Sequence, residues 1–324
     1  MLALSLVAAR AAADDFYAGK TITVIVGYAP GGGVDTSARV VARNLVRFIP
    51  GRPSVVVQNM EAAAGLVAAT HISRRVAADG LTLGVPGRSW FIEGIVKGPG
   101  VTFDPTQFSY IGSPGAVNSV MVVRASTGVT SFETLKSAPR TLTFGALRST
   151  TPTAMVPAML AMRGAPIRVV PSYGSTARVL IALEQGEVEG FFTVEDSFAN
   201  HEEMFRNGTV LPILQTRPEH PGLPLVQDVL PASDRKLLAL VLALDDFGLP
   251  LIGPPGLPAE RLETLRAAFL AMCRDPDYQA EAARMQMPVG APVGGADLAG
   301  MISALAASAV PDVVAAYRRL ADGG

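Results

Sequence analysis

The chain has 324 residues, of which 49% are hydrophobic and 17% are charged, and its formal net charge at pH 7 is −1. This length and composition predict a globular protein with two domains of ordinary size and substantial cores. The nearly balanced charge and the few aromatic residues argue against nucleic-acid binding, which depends on basic patches and on aromatic side chains that stack with bases.

An apolar run rich in small residues, LALSLVAARAAA, occupies positions 2–13 and ends on an Ala-x-Ala pattern before two aspartates. This pattern is typical of the second half of a secretory signal peptide, and the run is too short to span a bilayer. We therefore predict that residues 1–13 are a signal-peptide remnant and that the mature protein is periplasmic. The alternative is an ordinary apolar N-terminal helix.

The segment YAPGGGVD (28–35) follows an apolar, β-branched run at 21–27 and precedes apolar residues with helical spacing at 35–48. This order predicts a buried strand, a glycine turn and a helix. Glycine lets the backbone bend sharply and lets a ligand approach closely, and the first helical turn presents unpaired N–H groups at the positive end of the helix dipole. Together they predict a site for a phosphate or a carboxylate; the alternative is a glycine turn without a ligand.

The turn matches no nucleotide-binding fingerprint. A P-loop has Lys and then Ser or Thr after its glycines, whereas Val34 and Asp35 follow here. A dinucleotide site has an acidic residue at the end of its second strand, but the predicted second strand, 54–59, ends on Asn59. We predict that Asp35 accepts N–H bonds in the first helical turn, with contact to a ligand or to water as the alternative.

Strands and helices alternate along the rest of the chain, which predicts an α/β fold with mainly parallel sheets. A capping box of Thr130 and Glu133 starts one helix, and Gly186 ends another. The further predicted strands are 81–86, 142–147, 167–172, 188–194 and 211–216. The further predicted helices are 64–76, 130–137, 151–162, 175–185, 195–206, 233–243, 258–274, 276–286 and 296–321.

Two segments, 109–124 and 244–256, indicate crossings of the chain between domains. We therefore predict a discontinuous first lobe at 14–117 and 246–324 and an inserted second lobe at 118–245.

Motifs for catalysis and metal binding are missing from the sequence. His71, His201 and His220 are far apart and belong to no recognisable motif, and neither a metal-ligand spacing nor a G-x-S-x-G elbow occurs. The single cysteine, Cys273, lies in a helical pattern and is predicted to be buried packing. We therefore predict no metal, no cofactor and no enzymatic activity.

Ligands of α/β sheets sit outside the carboxyl ends of the strands. The predicted loops at those ends are 28–35, 59–65, 86–91, 147–153, 172–176 and 194–197, and they are rich in small and hydroxyl-bearing residues. Such loops suit a small anion held by hydrogen bonds. In the second lobe they make ligand-binding candidates of Ser149, Thr150, Thr153, Ser172, Tyr173, Gly174 and Asp196.

For three charged residues of these loops, two interpretations of their role stay open. Arg88 and Arg148 can each bind a carboxylate bidentately, or they can be solvated at the rim. If either guanidinium points inward, the ligand carries a second carboxylate. Asp196 can accept a hydrogen bond from a ligand hydroxyl or amine, or it can cap a helix start.

Several segments carry a family pattern in a fixed order. The first is Y-x-x-K-x-I-T-V-I-V-x-Y-A-P-G-G-G-x-D from residue 17, and the later ones are VVVQNMEAAAGLVAA (55–69), ADGLTLG (78–84), FDPTQFSYIGS (103–113), VTSFETLKSAP (129–139) and VVPSYGSTARVLIALEQGEVEGFF (169–192). This ordered set resembles the substrate-binding proteins of tripartite tricarboxylate transporters, the Bug family. The resemblance covers nearly the whole chain after about residue 16.

The resemblance implies a fold like that of type II periplasmic binding proteins, with two Rossmann-like lobes and a ligand cleft between them. It also implies that the first two loops grip one carboxylate of the ligand through Tyr28, Ala29, Gly31, Gly32, Gly33, Asn59 and Ala64. Glu61 and Ala62 stand where the family has Pro-Gly, and Ser172 and Tyr173 stand where it has Tyr and Lys. These departures lie near the expected ligand, so they bear on the substrate rather than on the fold.

The resemblance further implies a periplasmic, monomeric receptor that closes by a hinge on a small organic acid and delivers it to membrane transporter subunits. Mono-, di- and tricarboxylates, aromatic acids included, are all candidate ligands, and no nucleic acid is expected. One alternative is a sensory receptor that signals to a membrane kinase, and another is a small-molecule enzyme on the same architecture. We expect Gly32→Val to abolish binding, because a branched side chain would fill the ligand space or block the backbone conformation.

Overall fold

The computed structural model describes residues 16–87, 89–198, 201–285, 287 and 291–322. The predicted signal peptide at 1–13 lies outside these residues. The strands are β1 Thr21–Val26, β2 Ser54–Asn59, β3 Thr82–Val85, β4 Ser109–Ser113, β5 Ser119–Arg124, β6 Leu142–Gly145, β7 Ile167–Val170, β8 Gly190–Val194, β9 Val210–Gln215, β10 Leu251–Gly253 and β11 Val293–Gly294. The α-helices are α1 Gly33–Leu45, α2 Leu66–Arg75, α3 Trp90–Ile95, α4 Phe132–Lys136, α5 Pro152–Met162, α6 Thr176–Gln185, α7 Glu203–Arg206, α8 Val226–Val229, α9 Arg235–Phe247, α10 Ala259–Arg274, α11 Pro276–Arg284, α12 Gly295–Ser308 and α13 Pro311–Ala321.

The chain divides into two compact units, and the first contains the described residues of 16–116 and 246–307. Its described strands form one sheet in the order β11-β4-β10-β3-β1-β2. β1 is parallel to both of its neighbours, so that Val26 is paired with Asn59 of β2 and with Val85 of β3. The β-branched residues of β1 alternate between the two faces of the sheet. They pack with the apolar faces of α1, α10 and α11, and Leu45 and Phe269 are among the fully buried residues of this core.

The second unit contains the described residues of 117–245 and 308–322. Its sheet has the order β7-β6-β8-β5-β9. β6 is parallel to β7 and to β8, whereas β5 is antiparallel to β8 and to β9. One apolar cluster, which includes Phe144 and Met155, covers one side of this sheet, and another, which includes Phe191 and Val179, covers the other side.

Both sheets are mixed, whereas the sequence predicted mainly parallel ones. The parallel part of each sheet is its three strands joined by βαβ connections. β10 and β11 of the first sheet and β5 of the second run in the opposite direction. The alternating side-chain pattern of a strand is the same in both directions. The pattern therefore locates a strand, and the path of the whole chain decides its direction.

The C-terminal segment differs most from its prediction. The sequence predicts a single helix at 296–321, whereas the structure has two helices, α12 and α13. The helix is interrupted because Pro311 lacks a backbone N–H and its ring restricts Val310 before it. α13 packs on α5 and places Leu320 in the core of the second unit. Residues 308–322 therefore belong to the second unit and not, as predicted, to the first lobe.

Two other predicted helices have different boundaries. The predicted helix 195–206 is a 3₁₀ turn at Glu195–Phe198 and the short helix α7, with residues 199–200 outside the described part. The capping box of α4 is formed by Ser131 and Thr134, one position after the predicted pair. Gly186 ends α6 in the left-handed conformation, as predicted, with φ +81°.

Among the described helices, no single one has the length and the apolar composition needed to cross a membrane. α12 and α13 reach that length and composition only when they are taken together.

Backbone packs directly on backbone where the three parallel strands of the first unit end. Gly27, next to the end of β1, donates its N–H to the carbonyl oxygen of Val85 at 3.1 Å. A methyl group added at Gly27 or at Gly65 would overlap with the carbonyl oxygen of Pro86. Gly65 also has a φ of +91°. The loops after β1, β2 and β3 are therefore held together without side chains between them.

We expect Gly65→Ala to lower the free energy of unfolding of the first unit by about 2 kcal/mol or more, because the new methyl group meets Pro86 and the backbone is left-handed. Gly300→Ala is the matched control, since Gly300 lies within α12 and has no atom within 4 Å of the added carbon. That change should raise stability by about 0.5–1 kcal/mol. Urea denaturation followed by circular dichroism measures both. Equal effects of the two substitutions would contradict this account of the strand ends.

Candidate functional site

The turn after β1 is open at its centre. Residues 29–33 are exposed, and Gly31 has a φ of +82°, a conformation that favours glycine. Gly32 has φ −78° and ψ 166°, which any residue adopts, and an added methyl group would lie 3.7 Å from the nearest atom. The expectation that the backbone conformation at Gly32 excludes a side chain is therefore wrong. The bend needs glycine at position 31. The glycines at 32 and 33 leave the surface of the turn clear of side chains.

The start of α1 supplies hydrogen-bond donors to this clear surface. Gly32 is the N-cap, and no side chain caps the helix. The first helical hydrogen bond is donated by the Thr36 N–H to the Gly32 carbonyl oxygen at 2.8 Å. The N–H groups of Gly33, Val34 and Asp35 precede it and have no acceptor within the helix. α1 has 13 residues, and the positive end of its dipole lies at the turn.

The side chain of Asp35 is 3% exposed and forms the centre of a hydrogen-bond network. One of its oxygens accepts from the Gly31 N–H at 2.8 Å and from Arg39 Nε at 2.9 Å. The other accepts from Asn59 Nδ2 at 2.7 Å. Asp35 thus accepts the N–H of a turn residue four positions earlier, and it does not cap the first helical turn.

The hydrogen bond from Arg39 lowers the pKa of Asp35 to about 2, against burial, which raises it. The bonds from Gly31 and Asn59 lower the pKa further. The carboxylate is therefore ionised at neutral pH, and the guanidinium beside it supplies the opposite charge.

The side chain of Asn59 is hydrogen-bonded to three groups of the protein. Its Nδ2 donates to the Tyr28 carbonyl oxygen at 2.8 Å as well as to Asp35, and its Oδ1 accepts from Arg39 Nη2 at 2.9 Å. The side-chain amide is thus occupied by protein partners. This geometry supports a role for Asn59 in holding the turn in place. No motif in the sequence singled out Arg39, although its spacing from Asp35, i to i+4, is that of an ion pair on a helix.

The loops after β2 and β3 close around the same strand ends. Ala64 lies in the 3₁₀ turn Ala63–Gly65, which leads into α2. The ring of Tyr28 lies where a side chain at Gly87 would be. Arg88 lies outside the described residues, so its role stays a prediction.

In the second unit the loops after β6 and β7 are hydrogen-bonded to each other. The N–H groups of Tyr173 and Gly174 donate to the carbonyl oxygens of Ala146 and Leu147 at 3.3 and 3.0 Å. The hydroxyl of Tyr173 donates to Glu187 at 2.7 Å, and burial, followed by this carboxylate, raises the pKa of Tyr173 to about 12. Ser172 and Gly174 are exposed.

The start of α5 offers fewer free donors than the start of α1. Pro152 has no N–H, and the N–H groups of Ala154 and Met155 both donate to the Thr151 carbonyl oxygen at 3.0 Å. The hydroxyl of Thr153 accepts from the Leu147 N–H at 3.1 Å. The candidate residues Ser149 and Thr150, which are half-buried and exposed respectively, precede this helix start and carry hydroxyl groups.

Arg148 lies in the loop that leads to α5, and it is exposed. Its carbonyl oxygen accepts from the N–H and the hydroxyl of Thr151 at 3.2 and 2.7 Å. Within the part of the chain that the structure describes, its guanidinium has no hydrogen-bond or ion-pair partner. It is therefore available to an external anion.

Asp196 lies at a cavity of about 630 Å³ within the second unit. The cavity is lined on one side by Phe198 and Phe205, whose rings meet edge to face at 4.9 Å, and on another by the pair Glu195 and His220. His220 Nε2 lies 2.7 Å from Glu195 Oε1. No sequence signal predicts this pair, because its members are 25 residues apart and belong to no motif.

The described residues contain no group of three or more side chains that could hold a metal ion. Cys273 is buried, as predicted, and burial raises the pKa of its thiol to about 12. Trp90 and Phe91 are fully buried in an aromatic cluster with Phe103, Phe108 and Phe247. Neither side chain lines an open surface.

No protein-family model and no curated protein sequence matches the chain. Solved structures do. A TctC solute binding protein from Polaromonas, solved without ligand, is 16% identical and superimposes with a TM-score of 0.71, covering 94% of this chain and 99% of its own. The chain has the fold of type II periplasmic binding proteins. This confirms the predicted fold class.

Two further structures share the fold and contain ligands. MatC (Rpa3494) of Rhodopseudomonas palustris, with bound malate, is 20% identical with a TM-score of 0.61, and the match covers 91% of this chain and 99% of that one. Rpa4515 of R. palustris, with adipate, is 21% identical with a TM-score of 0.58, covering 94% of this chain and 96% of that one. At these identities the likeness defines the fold alone.

Asp35→Asn should lower the free energy of unfolding at pH 7 by about 2 kcal/mol, because the buried carboxylate is stabilised in its ionised form. The folded-state pKa, about 2, lies below the ordinary value of 3.8. This stabilisation is therefore present above about pH 4 and is lost as the pH falls from 4 towards 2. Urea denaturation at pH 7 and at pH 3 measures it.

The control for this substitution is Glu263→Gln, which removes a carboxylate that is 69% exposed on the same unit. Its effect should be below about 0.5 kcal/mol at both pH values. An Asp35→Asn protein as stable as the control variant at pH 7 would contradict the structural role of the carboxylate.

Proposed function

We propose that the chain is a periplasmic solute-binding protein that captures a small organic acid and delivers it to a membrane transporter. The observation that carries the proposal is the exposed surface of residues 31–33 at the uncapped start of α1, where three N–H groups have no acceptor within the helix. Anions bind at such helix starts. The fold shared with solute-binding proteins and the family resemblance of the sequence both support a transport role.

The chemistry of the turn favours a carboxylate over a larger anion. Its donors are backbone N–H groups, and the one charged side chain within it, Asp35, is buried and paired with Arg39. A site without its own free positive charge suits a small, singly charged group held by directed hydrogen bonds. Asn59, at the end of β2, supports the turn in this proposal through its hydrogen bonds to Tyr28 and Asp35, and the backbone of Ala64 follows β2 in the neighbouring 3₁₀ turn.

The test is titration of the purified protein with acetate, succinate, malate, adipate, citrate and benzoate, by calorimetry and by thermal shift. A ligand at about 100 times its Kd should add about 2.7 kcal/mol of stability. Binding without product formation supports a receptor. Conversion of the acid, followed by NMR, would instead support an enzyme, and binding to a sensor kinase rather than to transporter subunits would support a sensory receptor.

Gly32→Val should abolish this binding and leave the protein folded. The backbone at position 32 accepts a branched residue, so the fold persists, while the side chain would cover the N–H groups of the helix start. Calorimetry measures the binding and far-UV circular dichroism the fold. Gly300→Val, which places the same side chain in open space on α12, is the control and should bind normally. Unchanged affinity of Gly32→Val would place the anion site elsewhere.

We further propose that Arg148 selects acids with more than one carboxylate. Removal of a charge-assisted hydrogen-bonding group from a binding site costs on the order of 2–4 kcal/mol. Arg148→Ala should therefore weaken the binding of succinate or adipate by about 30- to 1000-fold, and that of acetate or benzoate by little. Arg168→Ala, another exposed arginine of the second unit, is the control. Equal losses of affinity for mono- and diacids would contradict this role and favour a solvated Arg148 at the rim. Arg88 would then be the next candidate.

A further inference from the structure

We propose that Arg39 is a positioning residue for the anion site, because it cancels the charge of the buried Asp35 and ties the end of β2 to the glycine turn. The inference rests on the proposed function and adds to it a residue that does not itself belong to the turn. Arg39 lies on α1, one helical turn after Asp35, and its side chain is 41% exposed.

The three side chains form a closed ring of hydrogen bonds. Arg39 Nε donates to Asp35 at 2.9 Å, Arg39 Nη2 donates to Asn59 at 2.9 Å, and Asn59 Nδ2 donates to Asp35 at 2.7 Å. Each bond of the ring includes the charged group of Arg39 or of Asp35, and the Asn59 amide is oriented by its bonds to both of them. A ring of this kind resists rotation of each side chain, because one rotation breaks two bonds at once.

The ring holds the turn at two points. Asn59 donates to the carbonyl oxygen of Tyr28 at 2.8 Å, where the turn begins, and Asp35 accepts from the N–H of Gly31 at 2.8 Å, in its middle. Without the ring, the exposed segment 29–33 would have few bonds to hold it, since its glycines have no side chains. The direction of the N–H groups at the start of α1 therefore depends on Arg39.

The charge of Arg39 matters as much as its hydrogen bonds. Asp35 lies in the segment that is proposed to bind an anion, and an unpaired carboxylate there would repel the ligand. A buried carboxylate without a partner is also costly to the fold. The Arg39 guanidinium is in hydrogen-bond contact with Asp35, so the pair presents almost no net charge to an incoming anion.

Arginine is required for both tasks together. Its planar fork donates from Nε to one partner and from Nη2 to another, whereas lysine has a single ammonium group. Arg43 gives a matched comparison, because it lies one turn further along the same helix and also pairs with a carboxylate, that of Glu281 on α11. Its partner lies outside the turn and outside the loop after β2.

The experiment compares Arg39→Gln, Arg39→Lys, the double variant Asp35→Asn/Arg39→Gln and the control Arg43→Gln. Affinity is measured by calorimetry for whichever of succinate, malate and adipate the wild-type protein binds. Amide hydrogen exchange of residues 28–34 is measured on the ligand-free proteins by mass spectrometry.

Arg39→Gln should weaken binding by about ten- to hundred-fold and should speed exchange of residues 28–34, whereas Arg43→Gln should stay within about two-fold of wild type in both measurements. The double variant should bind several-fold more tightly than Arg39→Gln, because it removes the uncompensated charge. A purely structural role would instead make the double variant bind as weakly as the single variant or more weakly.

Arg39→Lys should bind more tightly than Arg39→Gln but should keep the fast exchange.

Several results would overturn the inference. One is an Arg39→Gln protein that matches Arg43→Gln in affinity and exchange, and another is a double variant with no recovery. If Arg39→Gln does not fold, Arg39→Lys and the double variant carry the comparison.

If the wild-type protein binds none of the acids, the proposed function fails. The exchange of residues 28–34 then still decides the positioning role: faster exchange in Arg39→Lys than in Arg43→Gln supports it, and equal exchange overturns it.

Discussion

A buried carboxylate in the glycine turn is the constraint on which the rest of the first unit depends. Asp35 is almost fully buried, so its charge has to be balanced and its oxygens have to accept hydrogen bonds. Arg39, Asn59 and the Gly31 N–H meet both needs. Asn59 can do so only because β1 and β2 are parallel and in a register that pairs Val26 with Asn59. The sheet thereby fixes the turn.

Backbone contacts define the shape of this end of the sheet. Gly27, Gly65 and Pro86 approach so closely that no side chain fits between them. The uncapped start of α1, in contrast, presents backbone N–H groups without a helical acceptor. In the proposed function these groups bind an anion but do not distinguish one side chain of a ligand from another. In the proposed function, selection among acids therefore depends on side chains outside the turn. Arg148, with no partner among the described residues, has the chemistry for that task.

The two units do not offer equivalent helix starts. α1 begins at an uncapped glycine, whereas α5 begins with Pro152 and with a carbonyl oxygen that accepts two N–H groups. α5 also has the positive end of its dipole at its first turn, but fewer of its N–H groups remain unpaired there. The loop before α5 carries hydroxyl groups and a guanidinium instead.

The sequence by itself determined the strand, turn and helix around residues 28–35, since β-branched runs, glycines and helical spacing are local signals. It also located β2 with the bounds that the structure has, and the burial of Cys273. Only the tertiary structure decided the antiparallel strands, the place of α13 in the second unit, and the partners of Asn59. Strand direction and the pairing of Arg39 with Asn59, 20 residues apart, depend on how distant segments meet. Periodicity along the chain carries no information on that, because it reports which face of an element is buried and not what covers it.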